Sequence, residues 1–247
     1  MIYLNGDSHT AGAEIIKNYC FAEDDNQFVN LGRRPHPEAL PFTFGHLIAK
    51  ELSTSFYTDA ESGSSNSRIL RTTKKYLENN NPDIVIIGWS TFEREEWQYD
   101  NKWLQLSASG IDNVPDNLKD KYKSWVLEQT PTKLHEKEKY WHTKIYEFHN
   151  ELNDKNIKHI FFNSFKCFRN TAKHNWRKSF IGPYDDNLSY YNWCLQNGYK
   201  TKNNGYHFGK DAHKGWAKIL VNQINQLTKL KKFSILNFEH IANYTGF

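Results

Sequence analysis

Ile2-Tyr3-Leu4-Asn5-Gly6-Asp7-Ser8-His9-Thr10 is the stretch on which the reading of this chain turns. Ile2-Tyr3-Leu4 is a short apolar run and reads as a strand through Asn5. Gly6 lets the backbone turn, and Asp7 and Ser8 suit the first positions of a helix. A serine hydroxyl is a poor nucleophile in free solution. It becomes useful at the end of a rigid strand, beside a base, with the N–H groups of a helix start aimed at a developing oxyanion. Alone, the stretch also reads as an ordinary strand–turn–helix with a capping serine, so the rest of the chain decides.

The chain has 247 residues, with 38% hydrophobic, 15% aromatic and 24% charged. That length suits one sizeable α/β domain, here taken as residues 1–247 with an aromatic-rich insertion at about 91–131. The composition is that of a globular protein, and eight Trp, fourteen Tyr and sixteen Phe can fill a large core. A net charge of +4 with no dense basic block argues against a nucleic-acid partner. No apolar run approaches the length of a membrane span, so no membrane partner is expected. Cys20, Cys167 and Cys194 are odd in number and form no C-x-x-C, so neither a disulfide framework nor a zinc site is expected. With no cationic leader before the first strand, the expected location is the cytoplasm; a protein released by lysis, or carried on a phage particle, would look the same.

Strand and helix signals alternate along the chain. A helix is expected from Thr10 toward Tyr19, weakened at Gly12, and a surface loop over 22–38. Phe44, Leu47, Ile48 and Leu52 recur at helical spacing over about 41–52. Ser55–Thr58 reads as a short strand, ending in Asp59-Ala60-Glu61-Ser62-Gly63, with a helix to follow (Ile69, Leu70, Leu77). Asp83-Ile84-Val85-Ile86-Ile87 reads as a central parallel strand buried on both faces. Trp97, Tyr99, Trp103 and Trp125 mark the insertion, where they either grip a ligand or staple the insertion to the domain. Leu134, Trp141, Ile145, Phe148 and Leu152 predict a helix over about 132–153. His135, His142 and His149 share a face of it, read as a packing or solvated face because no thiolate or carboxylate set completes a metal site. Ile157–Phe162 reads as a strand, 163–209 as irregular with a helix near 187–197, and Ala212 through Leu227 as the final helix.

Four short segments fall in a recognisable order: Gly6-Asp7-Ser8 after the first strand, Gly63 after the second, Gly88-Trp89-Ser90 after the central strand, and His207 six residues before His213 at the last helix. This order resembles the SGNH (GDSL-type) hydrolases over about 1–90 and 155–230. The resemblance implies a three-layer α/β/α sandwich with a mostly parallel, flavodoxin-like sheet, which the strand–helix alternation supports independently. It implies Ser8 as nucleophile, His207 as base, and an oxyanion site from the N–H groups of Ser8 and Gly63 with Ser90 or Asn66, Trp89 lying alongside. Two positions depart from the family pattern. Ser90 stands where the family has an oxyanion-binding Asn, and Asn204 stands where it has the Asp that orients the base. The arrangement is then a Ser8–His207 dyad oriented by Asn204, a triad completed by another carboxylate such as Asp185 or Asp186, or a weakened relic.

The expected function is ester hydrolysis, on an O-acylated carbohydrate or a small lipid ester, with no metal and no cofactor. The alternative is a carbohydrate-binding protein of the same fold that has lost turnover, motivated by Ser90 and Asn204. A flavodoxin-like nucleotide module is weaker, because no phosphate-binding glycine loop appears.

Overall fold

The computed structural model describes residues 1–242 other than Asn170, Asn203 and Asn204, with side chains as far as Leu227. Five strands form one sheet: β1 (Ile2–Asn5), β2 (Phe56–Thr58), β3 (Ile84–Trp89), β6 (His159–Asn163) and β7 (Phe180–Ile181). Their spatial order is β2-β1-β3-β6-β7, and every neighbouring pair is parallel. β4 (Glu95–Tyr99) and β5 (Lys102–Leu106) form a separate antiparallel hairpin. The helices are α1 (Ser8–Ala11), α2 (Phe44–Glu51), α3 (Asn66–Leu77), α4 (Lys119–Leu127), α5 (Pro131–Asp154), α6 (Tyr190–Gln196) and α7 (Lys210–Ala242).

The sheet is buried on both sides, as an all-parallel sheet must be. Successive residues of β3 serve opposite faces. Ile84 and Ile86 pack with Phe44 and Ile48 of α2 and Trp216 and Leu220 of α7. Val85, Ile87 and Trp89 pack with Ile69 of α3 and with Trp141, Ile145 and Phe148 of α5. The result is a three-layer α/β/α sandwich, as expected. Helix starts carry side-chain caps: Thr43 accepts from the N–H of His46, Ser65 from Arg68, Thr130 from Lys133 and Ser189 from Asn192.

Two expectations change. The helix expected from Thr10 toward Tyr19 stops at Ala11, because Gly12 takes the left-handed conformation (φ 76°) and its N–H closes back on the Ser8 carbonyl. Residues 91–131 hold the β4–β5 hairpin and α4 around a small core of Leu106, Val114, Tyr122 and Trp125. Trp97 packs edge-on against Trp125 at 6.1 Å, a contact within the insertion's own core.

Candidate active site

In a parallel sheet all strands end at one edge, and ligands collect there. Here that edge is formed by the residues following β1, β2, β3 and β6, which brings Asp7-Ser8, Gly63, Ser90 and Ser164 to one rim. α1 is pressed close to the sheet. A Cβ on Gly6 would lie 2.2 Å from Thr10 Oγ1 and 2.9 Å from the Gly88 carbonyl, and a Cβ on Gly88 2.6 Å from the same hydroxyl. Both glycines are needed for this approach.

Asp7 is fully buried and caps α1, its Oδ1 accepting from the N–H of His9 (3.1 Å) and from Ser164 Oγ (3.0 Å). Burial raises its carboxyl above the ordinary value; the Arg94 guanidinium, 3.6 Å from Oδ2, is the main opposing influence. Arg94 Nη1 also donates to Ser90 Oγ (2.9 Å). The Ser90 hydroxyl therefore meets the guanidinium that faces Asp7. Asn66, fully buried at the first position of α3, grips the backbone of Ser90: its Oδ1 accepts from the Ser90 N–H (2.8 Å) and its Nδ2 donates to the Ser90 carbonyl (3.2 Å). These two residues brace the rim. Gly63 lies in the left-handed region (φ 82°), one turn before α3.

His207 comes from the loop before α7. Its Nδ1 lies 2.7 Å from Glu14 Oε2, both side chains being about one-sixth exposed. An ionised carboxylate only accepts, so the imidazole proton belongs on Nδ1, and Nε2 keeps its lone pair. The ring meets the His9 ring at a centroid distance of 5.5 Å, which places it beside the first turn of α1. His9 itself is buried among Phe165 (4.4 Å) and Tyr190 (5.0 Å), and burial, then the neighbouring His207, His213 and Arg94, holds it neutral. Around this wall Phe165, Tyr191 and Tyr206 lie 5.6–6.4 Å apart in pairs, and Tyr206 is 66% exposed.

No protein-family model and no curated protein matches the chain. Among solved structures it is similar to an acetyl xylan esterase from the rumen bacterium Butyrivibrio proteoclasticus. The superposition covers 92% of this chain and 64% of that one, with a TM-score of 0.41 and 12% identity. The chain thus spans less than two thirds of that protein's length.

Of the residues singled out from sequence, Ser8, Gly63, Asn66 and Ser90 reach the same rim. Trp89 does not line it: the indole is fully buried, packed against Phe148 and Phe161 on the α5 side, because alternation along β3 turns it inward. Asn204 lies outside the described residues. Asp185 and Asp186 are engaged elsewhere, Asp185 capping the turn at Asn187, Asp186 bound to Cys167 and Arg169. His213 is buried, and its Nδ1 accepts from the N–H of Phe44 (3.3 Å), tying α2 to α7. His142 and His149 pack inside an aromatic cluster, as their helical spacing suggested. Sequence reasoning missed Glu14 and Arg94. Glu14 sat in a stretch read as helix, 193 residues from its partner; Arg94 was hidden in the charged run Glu93–Glu96.

Proposed function

We propose that the chain is a serine ester hydrolase of the SGNH type, with Ser8 as nucleophile, His207 as general base and Glu14 in place of the family's aspartate. The observation that carries this reading is the 2.7 Å contact between His207 Nδ1 and Glu14 Oε2, next to the first turn that bears Ser8. A carboxylate on Nδ1 fixes the tautomer whose Nε2 can accept a proton, and it stabilises the imidazolium that forms. Ser8 Oγ attacks the acyl carbon as His207 Nε2 takes its proton. The N–H groups of Ser8 and Gly63 receive the oxyanion, with the Arg94 charge behind them. His207 then gives the proton to the leaving alcohol, and water repeats the sequence on the acyl-enzyme. Ser90 and Asn66 hold the rim in shape in this reading, which assigns the oxyanion to backbone donors.

An O-acylated carbohydrate is the substrate class favoured. Phe165, Tyr191 and the exposed Tyr206 surround the histidine wall, and flat aromatic faces suit the apolar faces of sugar rings. A glycan-binding protein without turnover is the competing reading, favoured by Ser90, whose hydroxyl accepts from Arg94 (2.9 Å).

A serine-directed fluorophosphonate probe tests the proposal. Labelling of the folded wild type, absent in Ser8→Ala and reduced at least tenfold in His207→Ala, is the expected result. An unlabelled but folded wild type that still binds acetylated oligosaccharides would establish the competing reading.

A further inference from the structure

Cys20 stands beside the Glu14–His207 pair. One ligand atom from each of Glu14, Cys20 and His207 lies within 4.8 Å of the other two, and all three side chains are partly exposed. The grouping arises because α1 ends at Gly12. The chain then turns, with Glu14 at φ 59° and its N–H bonded to the Tyr19 carbonyl, and returns to Cys20 next to its own carboxylate. Asp24 adds a second carboxylate nearby, its Oδ2 accepting from the N–H groups of Cys20 (2.6 Å) and Phe21 (2.8 Å).

We infer that Glu14, Cys20 and His207 form an inhibitory site for a thiophilic divalent cation, zinc above all. Imidazole, thiolate and carboxylate are zinc's ordinary donors, at about 2.0–2.3 Å. Donors around a tetrahedral zinc are then about 3.5 Å apart, so three groups already within 4.8 Å need to close by only about 1 Å. The surrounding carboxylates of Glu14 and Asp24 favour a dication as strongly as they disfavour a bare thiolate. On binding, the Cys20 thiol proton leaves to solvent, and the metal takes His207 Nδ1 in place of its proton. A neutral imidazole bound through Nδ1 carries its hydrogen on Nε2, so it no longer accepts the Ser8 proton. Zinc thus silences the base by reversing its tautomer. The inhibitory half of this inference rests on the hydrolase reading; the binding half does not.

The test uses the full chain. Zinc binding is read by competition with a chromophoric chelator, and Co2+ substitution is read by the cobalt–thiolate charge-transfer band. Expected are one zinc per chain, the thiolate band in the wild type, and at least a tenfold loss of affinity in Cys20→Ser and in His207→Ala, with folding checked by circular dichroism. In ester hydrolysis, zinc inhibits the wild type reversibly with a chelator, while Cys20→Ser keeps its basal rate and resists zinc. Zinc binding no tighter than in the Cys20→Ser/His207→Ala double variant would overturn the site. Zinc-stimulated hydrolysis would overturn its inhibitory role. A protein that binds zinc with the thiolate band but hydrolyses nothing would leave the site standing and overturn the hydrolase reading.

Discussion

At the scale of single residues, the orienting carboxylate is the point of interest. The spacing of His207 to His213 singles it out as the base in the proposed chemistry, but the position three residues before it is Asn204, which supplies no charge. The carboxylate that meets the His207 ring belongs to Glu14, far away in sequence, and no local pattern announces such a partner. Glu14→Gln should lower kcat by about 10²–10⁴ with little change in KM, since an amide permits either tautomer. A downfield Nδ1 proton resonance of His207 should vanish in the same variant. If Asn204→Ala lowers kcat more than Glu14→Gln does, the orienting role belongs to Asn204. The packing beneath Ser8 is equally exacting. Gly6→Ala puts a methyl within 2.2 Å of Thr10 Oγ1 and 2.9 Å of a backbone carbonyl, and should destabilise the fold by about 1–3 kcal/mol. Chemical denaturation reads this directly, and an unchanged midpoint would show that α1 can move away from the sheet.

Among elements, β1, β2, β3 and β6 were legible, whereas β7 and the β4–β5 hairpin were not. Ile84–Ile87 and Ile160–Phe162 announce themselves through consecutive large apolar residues. β7 is two residues long and leaves no such trace. The hairpin was illegible for another reason: β4 reads Glu-Glu-Trp-Gln-Tyr, half-exposed, with Glu95 paired to Lys137 of α5 and Glu96 to α3. Arg71 of α3 donates to Glu96 through Nε (3.0 Å) and Nη2 (2.8 Å), and Gln105 donates to the same carboxylate (3.1 Å). Gln105 Oε1 in turn accepts from the N–H of Ser65 (3.0 Å), the cap of α3. The hairpin is therefore a clasp over the start of the helix that carries Asn66. Gln105→Ala should cost about 1–2 kcal/mol, and hydrogen exchange should speed up at the hairpin amides and at the first turn of α3 together. Faster exchange in the hairpin alone would show that the clasp does not support the rim.

For the whole molecule, histidines set the response to acid. Burial, the largest cause in each case, lowers His142, His149 and His159 to about 4 and His213 to about 3. His159 Nδ1 donates to the Ile157 carbonyl (2.9 Å), so its Nε2 accepts from His149 Nδ1 (2.7 Å), whose Nε2 faces Asn153 Nδ2 (3.0 Å). This chain of bonds is consistent only for neutral rings. Since the unfolded histidines titrate near 6.5, the unfolded chain binds more protons below that value. The stability these rings contribute is complete above about pH 7 and is lost as pH falls through 6.5 toward 4. A Tm at pH 5 roughly 10 °C or more below that at pH 8 is expected from scanning calorimetry, and a flat profile would mean that the rings accept protons in place. The sandwich itself was legible from alternating strand and helix signals, whereas this aromatic–histidine packing depends on contacts between α5 and the 163–184 segment that no local period encodes. The distance in sequence between Ser8 and His207 has one more consequence. A nascent polypeptide presents the Ser8 hydroxyl almost two hundred residues before the His207 imidazole, so any product cut short between the two is inert toward esters in the proposed chemistry.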